Sequence, residues 1–445
     1  MILIHNATIV NERTISSGSV LLENDIITRI FNAEIPAEIQ QQAQIIDASG
    51  KYLFPGVIDD HVHFRQPGLT HKGDIASESR AAVAGGVTSY MDMPNTVPQT
   101  TTIELLEEKM KLAAENSLAN YSFFLGATND NLQEIKKINP KTVCGLKLFM
   151  GSSTGNMLVN EEAILEQIFA ESPVLLMIHA EDDAIIKANA EYYKKQLGDA
   201  LPMFYHPLIR SAEACYKASE RAISLAKKYN TRIHLAHIST EKELSLLDAK
   251  TPLANKRITA ETCPQYLWFD DEAYNELGAL AKCNPAIKTA EDREALVAAL
   301  SSGKIDVVGT DHAPHLLSEK EGNYWQAVSG MPQIQHSLPL MLELFAEGEI
   351  SLETVAEKMC HAPAELFRIE RRGYIREGYF ADLVLVEKND WTVAPDNILS
   401  KCGWSPYEGI SFAHRVSHTF VNGNLVYENG NIDDAHKGKQ LIFNR

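Results

Sequence analysis

Two rhythms divide the chain. From residue 1 to about 53, apolar and polar positions alternate in short runs broken by polar turns. MILIHNATIV, GSVLLENDIITRIFNA and AQIIDASGKYLF read as short antiparallel strands, without helical spacing. From Phe54 onward, strand-like apolar runs alternate with amphipathic stretches, which signals a parallel sheet. Eight such strands are predicted, at 57–64, 88–95, 121–128, 144–150, 174–182, 232–239, 257–267 and 306–315. Helical stretches separate most of them. SESRAAVAGG stops at Gly85 and Gly86. IELLEEKMKLAAEN is a second, and SAEACYKASERAISLAKKYN a third, with Lys227 and Lys228 placed favourably in its last turn. Eight βα units that close on themselves make a (β/α)₈ barrel. The longest gap, EYYKKQLGDALPMFYHPLIR between strands five and six, is expected over the barrel mouth. After strand eight come helices near 335–346, 352–360 and 363–367. GYIREGYFADLVLVE and RVSHTFVNGNLVYENG then return to the opening rhythm, with Asn422-Gly423 as a hairpin signal. The predicted fold class is α/β: a (β/α)₈ TIM-type barrel over 54–370, with a small β-sandwich built from both termini, 1–53 and 371–445.

Length and composition narrow the function. At 445 residues the chain exceeds the usual limit for one core, in keeping with a barrel plus a smaller unit. A hydrophobic content of 45% with 22% charged residues is that of a soluble globular protein. The net charge of -18, without a basic block, argues against a nucleic-acid partner. A small anionic substrate stays compatible, because local cations in a pocket outweigh a distant acidic surface. The six cysteines form no CxxC and read as reduced thiols. MILIHNATIV lacks the basic start and apolar core of an export signal, and no apolar run reaches membrane length. A cytoplasmic homodimer is the expectation, with no membrane partner.

The candidate chemistry begins at FPGVIDDHVHFRQPG, residues 54–68. Side chains two apart on a strand share a face, so His61 and His63 point together, with Asp59 on the same face and Arg65 next along it. Two imidazoles at that spacing can hold one metal, or can be core histidines; the rest of the chain decides. In a barrel, function gathers at the C-terminal strand ends. Asn95, Lys147, His179, His237 and Asp311 fall there, and each is costly to bury unpaired. Lys147 is the odd member. Lysines commonly reach the surface, but Leu146, Leu148 and Phe149 argue that this one is enclosed. Burial and positive neighbours depress a lysine pKa. A neutral amine can add carbon dioxide, and the carbamate can bridge two metals. Histidine, carboxylate and carbamate ligands suit zinc. Two such ions would share a hydroxide, with Asp311 able both to ligate and to move a proton.

HVHFRQPG, MDMPNT, GLKLFM, MIHAED, HLAHIST, ETCPQYL and GTDHAPH follow one another in the order of the amidohydrolase superfamily. They span the barrel, and the chain resembles the superfamily's cyclic-amidase branch. The resemblance implies two zinc ions per subunit, with His61 and His63 on one and His179 and His237 on the other. It makes N6-carboxylated Lys147 the bridge, and Asp311 a ligand and the catalytic base. Arg65, Asn95 and His315 resemble residues that hold a substrate carboxylate. Asn284 and the backbone near Gly330 and Met331 resemble ring-binding positions. Within the branch the chain is most similar to the dihydroorotase family, which implies a small-molecule substrate, N-carbamoyl-L-aspartate or L-dihydroorotate. The hydroxide would attack the ring amide, and Asp311 would pass its proton to the departing nitrogen. The chain also departs from the pattern. Asn284-Pro285-Ala286-Ile287-Lys288 stands where the family often has Asn-Pro-Pro-Leu-Arg, and many bacterial relatives use an aspartate bridge in place of Lys147. ETCPQYL is shared with hydantoinases and allantoinases. Hydantoinase (dihydropyrimidinase) and allantoinase activities therefore stay open, as does a non-catalytic barrel scaffold, whose mark would be missing ligands. Arg65 favours a carboxylated ring, because its planar fork matches a carboxylate that hydantoins and allantoin lack. The competing assignment for Arg65 is an ion pair with an acid such as Glu78.

Overall fold

The eight barrel strands form in the predicted order in the computed structural model, which describes residues 1–151 and 157–445. They are Val57–Val62, Val87–Asp92, Asn120–Phe123 continued by Leu125–Gly126, Leu146–Phe149, Leu176–His179, Ile233–Leu235, Ile258–Thr262 and Val307–Val308. Each runs parallel to its neighbour. A parallel bridge between Val62 and His312 brings the end of strand eight back to strand one and closes the ring. Ile58, Met91, Phe124, Met177 and Val307, from five strands, pack in one buried cluster, so side chains fill the barrel.

The helices begin and end on the residue types that suit those positions. Ile75–Ala84 starts at Asp74, whose carboxylate accepts from the Ser77 amide, and ends at Gly85. Ile103–Asn116 starts at Thr102. Ala212–Tyr229 starts at Ser211 and ends at Asn230, which takes the left-handed conformation. The long gap after strand five holds the helices Asp183–Leu197 and His206–Ile209. Ile186, Leu201 and Ile209 pack there with Tyr324 of the loop after strand eight.

Both chain ends enter one nine-stranded sheet and make up the sandwich beside the barrel. Leu383–Thr392 pairs with Tyr52–Pro55, and Tyr52–Pro55 with Ile2–Asn11. Asn422 and Gly423 (φ 50° and 77°) turn the hairpin between Ser411–Val421 and Asn424–Glu428. The N-terminal reading needs correction in two places. Gln44–Asp47 and Tyr52–Pro55 run parallel, not antiparallel, to Ile2–Asn11. Parallel pairing requires a crossover, and that crossover contains a helix, Ala37–Gln42, that periodicity missed. The helix buries none of its residues, so it carries no apolar stripe to read. Among the described residues, no helix is long and apolar enough to cross a membrane.

Candidate metal centre

The C-terminal strand ends bring six distant side chains to one place. His61 lies in strand one and His63 just past it, Lys147 in strand four, and His179 ends strand five. His237 follows strand six by two residues and Asp311 follows strand eight by three. Asp311 Oδ1 lies 3.2 Å from His61 Nε2 and 3.0 Å from His63 Nε2. His179 Nδ1 faces His237 Nε2 at 2.8 Å. The His61 and His237 rings are 5.4 Å apart, which joins the two pairs. Lys147 Nζ is 3.5 Å from His61 Nε2. Arg65, His237 and Asp311 are non-glycine residues at positive φ (67°, 42° and 49°). Such conformations cost on the order of 1 kcal/mol each and persist where the surroundings enforce them. Asp59 does part of that enforcing. Expected beside the two histidines, it instead accepts from the Thr310 amide (3.0 Å) and hydroxyl (2.6 Å), tying strand one to the residue before Asp311. The pairing with strand two is irregular between Asp59 and Val62, which breaks the period-two alternation.

The outward nitrogen of three imidazoles is occupied. His61 Nδ1 donates to Glu261 Oε1 at 2.5 Å, His63 Nδ1 to Asn95 Oδ1 at 2.7 Å, and His179 Nε2 to Glu181 at 3.0 Å. These bonds leave the inward nitrogen of each ring with its lone pair available. Burial pushes the pKa of His63 down to about 4 and lowers those of His179 and His237, which favours the neutral rings that a metal would need. Burial opposes ionisation of Asp311, but His61 and His63 hold its pKa below the usual range. Lys147 is only 1% exposed, and among the described residues it has no ion pair. Burial takes its pKa down to about 8, against the pull of Glu261 and Asp311. Behind the ligands, Glu261 is one of a wholly buried trio with Asp60 and His234. Burial works against a charged His234, yet the two carboxylates carry its pKa up to about 9.

The donor set fits metal ions. His61, His63 and Asp311 offer ligand atoms within 4.8 Å of one another, and imidazole with carboxylate is a zinc-type set. These side chains open on a cavity of about 570 Å³, which Arg65, Asn95, Asn284, His315 and Gly330 also line. Arg65 Nη2 lies 3.0 Å from His315 Nε2, and its Nε donates to the Pro314 carbonyl. Glu78 is not its partner; that carboxylate accepts from His312 at 3.0 Å and Ser400 at 2.6 Å. The buried Asn284 Oδ1 has no hydrogen-bond partner among the described residues. Gly330 is at φ 128°, where a Cβ would come within 2.9 Å of the His315 ring. Met331 does not line the cavity: it is 1% exposed, and its carbonyl accepts the Ala313 amide.

Sequence reasoning missed four residues at or behind the wall. Glu261 and Glu181 were open to detection, as carboxylates in or just after apolar strands. Lys72, 3.1 Å from His315 and paired with Glu319, lies in a loop with no periodic signal. Arg210, paired with Glu181, comes from the insertion after strand five.

Comparison with known proteins places the chain in a family. The amidohydrolase family matches residues 52–426. A dihydroorotase from Halobacterium salinarum is 35% identical over 405 residues, covering 89% of this chain and 91% of that protein. An allantoinase from Bacillus velezensis is 33% identical over 403 residues, covering 89% and 88%. The L-hydantoinase (dihydropyrimidinase) from Arthrobacter aurescens superposes with a TM-score of 0.91 at 28% identity, over 97% of each chain. Barrel, rim histidines and sequence similarity lead to one conclusion: the chain belongs to the amidohydrolase family, as a metal-dependent cyclic amidohydrolase.

Proposed function

We propose that this enzyme is a dihydroorotase, which interconverts L-dihydroorotate and N-carbamoyl-L-aspartate. The observation that carries the reading is Arg65. Its guanidinium lines the cavity beside His315 and has no carboxylate partner among the described residues. A planar fork beside the Asn95 amide and the His315 ring suits a ring bearing a carboxylate. His61, His63, His179, His237, Asp311 and N6-carboxylated Lys147 would hold two zinc ions. Bound there, the ions would polarise the ring carbonyl and bring the pKa of a coordinated water to about 7.

The chain's own groups do the rest. Arg65, Asn95 and His315 fix the carboxylate, and Asn284 with the Gly330 backbone orients the ring. Asp311, ionised and 13% exposed towards the cavity, takes the proton of the attacking water. It delivers that proton to the ring nitrogen as the carbon–nitrogen bond breaks. Cyclisation reverses the sequence. A cytoplasmic homodimer belongs to the same reading.

A second reading, hydantoinase or allantoinase, is supported by the similarity to the allantoinase and by the shared ETCPQYL segment. A substrate panel separates the two. The kcat/KM for L-dihydroorotate is expected to exceed those for dihydrouracil, hydantoin and allantoin by about a hundredfold or more, the discrimination a buried ionic contact supplies. Arg65→Met should raise KM for dihydroorotate by about tenfold or more, the loss of one charge-assisted pair, and spare hydantoin hydrolysis. Preference for a neutral ring would overturn the assignment. Equal loss on both substrates would make Arg65 structural.

A further inference from the structure

We propose a second anion site, for a phosphoryl group, at the opposite end of the barrel from the metal centre. A cleft of about 260 Å³ opens where strands five, six and seven begin, and it is lined by Arg232, Arg257, Arg368 and Arg445. Arg232 immediately precedes Ile233–Leu235, and His237 stands past that strand's other end, so the strand separates the two sites.

The charge balance carries the inference. Among the described residues no Asp or Glu side chain lines the cleft, and none of the four arginines has an ion pair with one. This happens on a chain of net charge -18, where acidic partners are plentiful. Carbonyls take some of the N–H groups. Arg232 donates to Leu366 at 2.8 Å, Arg257 to Asn230, and Arg445 to Val143, Cys144 and Phe367 at 3.2, 2.6 and 3.2 Å. A guanidinium has five donors, so each arginine keeps some in reserve. Arg368 makes no side-chain hydrogen bond among the described residues. The helices Ala212–Tyr229 and Ala362–Phe367 end at Asn230 and Arg368. Two helix C-termini supply roughly half a negative charge each, well short of four guanidiniums. Burial, and then the neighbouring guanidiniums, push the pKa values of Arg232 and Arg445 down to about 10. The cluster is repulsive until an anion enters.

A carboxylate has too few oxygens for four guanidinium forks, whereas a phosphoryl group can be shared among them. The cleft is smaller than the roughly 300 Å³ at which drug-sized pockets start. It would hold the phosphoryl group and leave any organic remainder in solvent, towards the exposed Arg257 and Arg368.

The test is calorimetric titration of the metal-loaded enzyme at low ionic strength with inorganic phosphate, ADP and succinate in turn. Saturable phosphate binding is expected, weakened at least tenfold in the Arg257→Met/Arg368→Met double variant. Both side chains are exposed, so the fold and the amidohydrolase kcat/KM should be unchanged. ADP binding that is lost in the same variant also supports the site, and its strength relative to phosphate says whether a nucleotide adds contacts. Binding that survives in the double variant belongs to the metal centre and overturns the proposal, as does no binding at all. Succinate binding as tightly as phosphate overturns the phosphoryl assignment.

Discussion

Asp311→Asn is expected to lower turnover by about a thousandfold or more while metal stays bound, because positioned general acid–base groups contribute on that scale. The residue sits where two demands meet. Its Oδ1 lies within 3.2 Å of the inward nitrogens of both His61 and His63, a ligand's position. The same side chain keeps an exposed edge towards the cavity, as a base requires. Asparagine retains an oxygen for the metal but cannot carry a proton from water to the ring nitrogen. Steady-state kinetics with metal analysis on the same preparation checks both parts. Near-normal turnover in the variant would remove Asp311 from proton transfer; loss of metal would show that its main role is as a ligand.

Lys147→Met is expected to cost about a thousandfold or more, roughly 4 kcal/mol of barrier, and to lower the metal content. Methionine has a similar length and an apolar character suited to the buried site, so folding should survive. What it cannot do is supply an anionic bridge. The enclosure of Lys147 is the physical basis: the amine is 1% exposed, has no ion pair among the described residues, and has its pKa pushed down to about 8, which favours the neutral form that carboxylation requires. Kinetics and zinc stoichiometry, with circular dichroism as a folding control, test this. A fully metallated, active variant would exclude Lys147 as the bridge.

Much of the barrel could be read from the chain because eight apolar runs, each separated by a connection, leave few other closed arrangements. The polar groups at the rim were legible for a related reason. A histidine or lysine within or just after an apolar run, such as His179 or Lys147, stands out against its neighbours. Strand direction near the N-terminus was not legible, since Gln44–Asp47 alternates the same way whichever direction it runs. Asp59 was misplaced because the alternation fails where strand one is irregular. Glu261 acts from behind His61, and its place as a carboxylate within the apolar strand Ile258–Thr262 was the signal that could have found it. Lys72 and Arg210 reach the cavity from a loop and an insertion whose paths only tertiary packing sets.

Anomalous diffraction from crystals of the zinc-loaded enzyme tests the central claim most directly. Two peaks about 3.5–4 Å apart are expected, the spacing of shared-ligand metal pairs. One should sit against His61 and His63 and the other against His179 and His237, with density for a carboxyl group continuing from Lys147 Nζ to both. A single peak, peaks away from these histidines, or a bare amine at Lys147 beside fully occupied zinc would contradict the account.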